Sequence, residues 1–337
     1  MLGGLRQCHA FGLVASGRWR GSRLLILCYH GISLDDEHCW NPGLYMSRDC
    51  FASRLEQLRT GGYNVLGLGE AIRRLNAEDL PPRSVVITFD DGLYDFYARA
   101  WPLLEQYRLP STVYLTTYYS EYNRPIFRLI CDYMLWRKRG VTIQPGLVDG
   151  TIDLRTPESR ANEVQKLDVY SKENKLSARE KDQLASDLAR RIGMDWQEIL
   201  DRRLLHIMNA QEARQLAERG VDLELHTHRH LTPRDEVLFI RELDDNAARL
   251  RTINREQPRH FCYPSGVHYD QYPRWLRQWG VDSAVTCVPG LAARGNDLML
   301  LPRLCDHSDL TDVEFEGWLC GLMEWFPKRS YQAVDPD

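Results

Sequence analysis

What the chain of 337 residues lacks narrows it quickly. No apolar run approaches the roughly 20 residues that a helix needs to cross a bilayer, so no stable transmembrane anchor is expected. Positive charge is not in excess: 43 Lys and Arg stand against 47 Asp and Glu, a net charge of −4. That leaves no electrostatic footprint for nucleic acid. The nine cysteines are odd in number and scattered, with no Cys-x-x-Cys pair, so reduced thiols are expected rather than a disulfide framework. The start of the chain has no proper signal-peptide core. Its apolar patch from Ala10 to Ala15 is short, contains glycine, and gives way to Arg18, Arg20 and Arg23. These absences predict a cytoplasmic protein whose residues 1–23 are a poorly ordered basic extension, able to touch an anionic membrane surface. No internal repeat at a fixed period is present.

What the chain does have is an alternation of apolar runs and amphipathic stretches. Leu24–Tyr29 and Ser84–Phe89 are continuous apolar runs, as strands buried on both faces should be. Shorter strands are predicted at Tyr63–Leu66, Ser111–Thr116, Val221–Leu225, from Phe261, at Ser283–Thr286 and at Leu300–Leu304. Helical patterns fall between most of them. Ser47 precedes Phe51, Leu55 and Leu58 at helical spacing, and Asn209 with Glu212 has the spacing of a capping box. Seven or eight strands, most followed by helices, predict a (β/α) barrel, closed or partly open, over residues 24–325.

Residues 120–206 break the rhythm. Val141–Ile143 and Thr151–Leu154 flank Pro145-Gly146 and Asp149-Gly150, which suggests a small hairpin. Residues 158–205 are rich in charge, with one apolar stripe per helix. This stretch is expected to be an inserted, mainly helical subdomain whose charges are solvated faces.

The polar residues that stand out follow strand C-terminal ends, where barrel active sites form: His30, Asp90, Asp91, His226, His230 and His307. Taken alone, Asp90 and Asp91 could cap the next helix, and a single histidine at a strand end is more often structural. Their coincidence at the same end favours a site. His226 and His230, four apart, would converge if they occupied one helical turn. A carboxylate from another strand would complete a two-His, one-carboxylate metal site. Such a set suits zinc first, with cobalt, nickel or iron as alternatives.

With these motifs the chain resembles the polysaccharide deacetylases, the NodB-homology carbohydrate esterases of family 4. Thr88-Phe89-Asp90-Asp91-Gly92 and His226-Thr227-His228-Arg229-His230 match two family motifs. Leu27-Cys28-Tyr29-His30-Gly31-Ile32 and Phe261-Cys262-Tyr263-Pro264-Ser265-Gly266 are similar to two others. The resemblance runs from about residue 24 to about 305. It implies a deformed, TIM-like (β/α)7–8 barrel and metal-dependent removal of N-acetyl groups from an amino sugar or polysaccharide. By motif position it makes Asp90 the general base and Asp91, His226 and His230 the ligands of a divalent metal, zinc first. His307 is the candidate general acid with His30 in reserve, and Tyr263, Pro264 and His30 would line the substrate. Cys262 and Ser265 stand where many members carry Arg and Tyr, so the group that orients Asp90 is unassigned. A sugar deformylase or small-amide amidase on the same scaffold, and a non-catalytic carbohydrate-binding relic, are the competing readings.

Overall fold

The computed structural model describes residues 10–144, 150–254 and 256–326. The chain divides into two compact units, one running to Glu121 and resuming at Met208, the other spanning Tyr122–Ile207. Among the described residues no helix is long and apolar enough to cross a membrane.

The first unit is built on eight parallel strands: β1 (Arg23–Tyr29), β2 (Asn64–Val65), β3 (Ser84–Phe89), β4 (Thr112–Leu115), β5 (Asp222–Leu225), β6 (His260–Cys262), β7 (Ser283–Val285) and β8 (Leu304–Cys305). Their order is β7-β6-β5-β4-β3-β1, with β8 on the far side of β1 and β2 beside the start of β3. A short antiparallel strand, Ala292–Ala293, pairs with the start of β1. An isolated parallel bridge between Val285 and Leu301 joins β7 to the segment that runs into β8. The sheet therefore curls round on itself, as the strand count predicts.

Strand parity sorts the side chains. Leu24, Ile26, Val86, Tyr114, Cys262 and Val285 form one fully buried cluster with Leu68, Ile72 and Leu75 of the helix Leu68–Ala77. The alternate residues, Tyr29 and Phe89, face outward and pack edge-on against Phe51 of the helix Arg48–Thr60, with ring centroids 5.1 and 5.6 Å away. Burying each such side chain contributes about 1.5–3 kcal/mol. The same parity carries Cys28, Thr88 and Asp90 onto the inner face.

Ahead of β1 the expected disorder is not found from Ala10 onward. Helices Ala10–Ala15 and Arg18–Gly21 precede the strand. Phe11 and Ala15 pack on Cys320 and Leu322. The buried Arg20 donates to the carbonyls of Leu319, Arg23 and Ser84. Composition at the terminus hid this because its anchor is a single arginine that reads as surface charge. Residues 1–9 lie outside the described residues.

The second unit contains the helices Phe127–Arg137, Pro157–Glu173, Ala178–Arg191 and Trp196–Asp201 around a small core including Ile130, Met134, Leu167 and Leu188. Thr156 and Ser177 open two of these helices with capping boxes. Thr142–Ile143 and Ile152–Asp153 pair antiparallel, and the Pro145-Gly146 turn lies outside the described residues. The ends of the unit meet: the Ile126 amide donates to the Leu205 carbonyl at 3.0 Å.

Candidate active site

β3 delivers Asp90 and Asp91 to the C-terminal end of the sheet by two backbone devices. The Asp90 amide donates to the Tyr29 carbonyl, which extends the ladder one residue beyond the strand, and the Gly92 amide then turns back onto the Asp90 carbonyl at 2.8 Å. Gly92 has φ of 77°, and a Cβ there would fall 2.3 Å from the Leu115 side chain. Asp91 takes a left-handed φ of 67°, which breaks strand parity. Adjacent carboxylates therefore leave the chain toward different partners.

Asp91 meets the two histidines. Its Oδ1 lies 3.1 Å from Nε2 of both His226 and His230, whose rings stand edge to face at 4.9 Å. The convergence does not come from a helical turn, as the spacing suggested. Residues 226–230 form an irregular loop in which Thr227 and His230 both have left-handed φ, 60° and 59°. Left-handed backbone at non-glycine residues is costly and must be held by its surroundings.

Here the helix Glu236–Leu250 supplies the hold. Asn246 accepts from the His226 amide and donates to Leu115 and Thr117. Glu242 accepts from the Arg229 amide and guanidinium, both at 2.7 Å. Thr227 Oγ1 accepts from the Leu231 amide. His228 turns the other way, onto the Thr117 hydroxyl.

His226 Nδ1 is 2.9 Å from the Cys262 carbonyl. A carbonyl only accepts, so Nδ1 carries a proton, and Nε2 is the nitrogen turned to Asp91. Burial pushes the Asp91 pKa up, but the charge of His230 and hydrogen bonds from both histidines hold it well below the usual carboxylate range. Two imidazole nitrogens and an ionised carboxylate oxygen drawn from separate elements, one imidazole fixed by a backbone carbonyl, fit the requirements of a divalent transition-metal site.

Asp90 meets an arginine instead. Arg303, fully buried just before β8, donates from Nη1 to Asp90 Oδ1 and from Nη2 to Oδ2, each at 2.7 Å. Nε donates to the Thr286 carbonyl and Nη1 also reaches the Thr88 hydroxyl. Burial alone would raise the Asp90 pKa, but the charge and hydrogen bonds of Arg303, with His30 and His226 adding, carry it below the usual range. The group that orients Asp90, unassigned from the motifs, is therefore Arg303, supplied from the far end of the chain. The signal was present in Leu300-Leu301-Pro302-Arg303-Leu304: an arginine inside a buried run has to be paired.

Two thiols, Cys28 and Cys262, also point at Asp90 Oδ2 from 3.4 and 3.3 Å. His30 Nε2 lies 3.9 Å from the same oxygen with its side chain 15% exposed. Other expected residues are placed differently. Tyr263 is fully buried, its hydroxyl donating to the Met299 carbonyl and its amide to Val285, so it is a core residue and not an open substrate contact. Pro264 is buried at the start of a single 3-10 turn. His307 follows β8, and its amide caps the Asp306 carboxylate, which pairs with Arg54. None of the partners described for Asp90 or Asp91 is His307.

Comparison with known proteins agrees with this geometry. A family model described as polysaccharide deacetylase matches residues 77–144 and 195–284. The chain belongs to the polysaccharide deacetylase family. The match breaks within the second unit and ends before Arg303.

YxkH of Bacillus subtilis (strain 168) is 33% identical over 95 residues, covering 28% of this chain and 32% of that one. The poly-beta-1,6-N-acetyl-D-glucosamine N-deacetylase of Escherichia coli (strain K12) is 27% identical over 101 residues, 29% of this chain and 15% of that one. The matched stretches thus span about a third or less of these relatives. The solved structure of Streptococcus pyogenes deacetylase PplD in complex with acetate superposes with a TM-score of 0.58 at 20% identity, over 89% of this chain and 97% of that one. It shares the fold.

Proposed function

We propose that the protein is a divalent-metal-dependent deacetylase that removes N-acetyl groups from an N-acetylated amino-sugar saccharide. The observation that carries this reading is the pairing of two differently held carboxylates. Asp91 converges with His226 and His230 at 3.1 Å, and Asp90 beside it is gripped by Arg303. Asp91, His226 and His230 would hold the cation, zinc first. When bound, it supplies Lewis acidity toward an amide carbonyl and toward water.

The chain's own groups do the rest. Asp90 is ionised at neutral pH because Arg303 compensates its burial, so it can accept the proton of the attacking water. The bidentate grip fixes the plane of its carboxylate before substrate arrives. His30, partly exposed and 3.9 Å from Asp90 Oδ2, is our candidate to protonate the leaving amine, ahead of His307, whose place after the last strand first suggests it. The substrate class is supported by the name of the Escherichia coli relative, a deacetylase of poly-beta-1,6-N-acetyl-D-glucosamine.

The test is acetate release from N-acetylglucosamine oligomers by zinc-reconstituted protein. Asp90→Asn should abolish release while stoichiometric metal, read by elemental mass spectrometry, is retained. Release of formate from N-formyl sugars in place of acetate would reassign the substrate. Failure to bind metal after reconstitution would sink the proposal.

A further inference from the structure

Asp90 Oδ2 is the meeting point of a second set of ligand atoms, distinct from those of Asp91, His226 and His230. Cys28 Sγ lies 3.4 Å from it and His30 Nε2 lies 3.9 Å from it. The three ligand atoms are all within 4.8 Å of one another. Cys28 and His30 are two positions apart at the end of β1, so strand parity turns them to one side. The parallel pairing of Tyr29 with Phe89 then brings Asp90 beside them. Tetrahedral zinc held by a sulfur, an imidazole nitrogen and a carboxylate oxygen sets those atoms about 3.3–3.6 Å apart, and the trio is already close to that spacing. Cys28 and Asp90 are buried, and the His30 side chain, 15% exposed, is the one of the three that reaches the surface.

We propose that Cys28, His30 and Asp90 form a second, inhibitory cation site, which takes zinc or another thiophilic divalent ion supplied in excess. The Cys28 sulfur bonds the ion as its proton leaves to solvent, so no oxidant or reductant is involved. Sulfur and imidazole favour zinc or cobalt and disfavour magnesium and calcium, which take oxygen ligands. Asp90 with His226 and Cys262 forms a neighbouring group of the same compactness. There, however, His226 is committed to the first set, and Cys262 Sγ lies 3.1 Å from Arg303 Nη2, so a cation would meet the guanidinium.

The second ion binds more weakly than the first. Arg303 and the first ion already supply positive charge nearby, and the Cys28 thiolate adds only one negative charge against the two of the incoming ion. Its effect on turnover is nevertheless large, because of the groups it takes. It bonds the carboxylate that accepts the proton of water and the imidazole that protonates the leaving amine. One ion therefore ties up both proton-moving groups while leaving the first set intact.

The inference about turnover rests on the deacetylase reading; the site does not. The test titrates metal-free full-length protein with zinc, followed by equilibrium dialysis and acetate release, and in parallel with cobalt(II), followed by absorption. Two equivalents of zinc are expected, the second at least tenfold weaker, with at least a tenfold loss of turnover as it fills. Cobalt(II) should give a sulfur-to-cobalt charge-transfer band with the second equivalent, since the first set holds no sulfur. Cys28→Ser, and independently Cys28→Ala, should lack the band and the second equivalent, and keep in excess zinc the activity that each shows at one equivalent. Cys39→Ser, which alters an exposed thiol, should behave as wild type, and Asp91→Asn should keep the band. Three results overturn the proposal: no band at saturating cobalt, a band that survives Cys28→Ser, or equal inhibition by excess zinc in wild type and both Cys28 variants. If no form of the protein releases acetate, the band still decides the site and the failure belongs to the deacetylase reading.

Discussion

The two ends of the parallel sheet bury acidic groups in opposite ways. At the C-terminal end Asp90 and Asp91 are met by a guanidinium and two imidazoles, and both are held below the usual carboxylate range. Toward the N-terminal end Glu224 is also buried, but its Oε2 accepts from the backbone amides of Arg259 and His260, at 2.7 Å each, and meets no counter-charge there among the described residues. Burial, with Asp222 beside it, pushes Glu224 well above the usual range. Next to it burial drives His260 down to about 4. Desolvation acts alike at both ends. The difference is whether a counter-charge was supplied. The sheet therefore keeps charge at the end that carries the candidate active site and neutral groups at the end that closes the core.

Removing the counter-charge should make the first end behave like the second. Arg303→Leu leaves Asp90 buried without a partner, a change expected to cost about 3–5 kcal/mol. Acetate release should fall at least a hundredfold. Urea unfolding and turnover read the two effects. Arg303→Lys, which keeps the charge but loses the fork, should lose less stability than Leu.

The next effect concerns His260, which is 7% exposed. Its folded pKa of about 4 lies below the unfolded value of 6.5, so the unfolded chain binds a proton that the native state refuses. Stability from this group is whole above pH 6.5 and is lost as pH falls toward 4, on the order of 3 kcal/mol. His260→Gln should therefore lose less stability than wild type between pH 7.5 and 4.5, measured by urea unfolding at each pH.

The smallest effect has the opposite sign. Glu224 has a raised native pKa, so the native state keeps a proton that the unfolded chain gives up, and stability falls as pH rises above about 4.5. Glu224→Gln retains an acceptor for the two amides without the charge. It should gain Tm relative to wild type as pH rises from 5 to 8, with acetate release unchanged.

Legibility followed the kind of information each feature uses. Strand positions were readable because a fully buried strand must be apolar throughout, and Asp90, Asp91, His226 and His230 stood out against that background. Their common location at strand ends was readable from order along the chain. The grip on Asp90 was not, because Arg303 lies more than two hundred positions from its partner and no local rule links them. Nor was the loop that presents His226 and His230 readable. Residues four apart suit a helical turn, yet left-handed Thr227 and His230 are stabilised by Glu242 and Asn246, which sit inside an ordinary amphipathic pattern. Nor was the packing of Tyr263 readable, whose ring lies in the core while its hydroxyl donates to the buried Met299 carbonyl.

The hydrogen bond between Ile126 and Leu205 has a consequence for the chain's modularity. Because the unit from Tyr122 to Ile207 begins and ends at one point, it behaves as a cassette. Closing that gap with a short linker adds little loop-closure entropy to the host, and the capped helices inside carry their own local start signals. The barrel and the cassette can therefore accumulate changes at different rates, and a grafted relative of the cassette needs to match only its two joined ends.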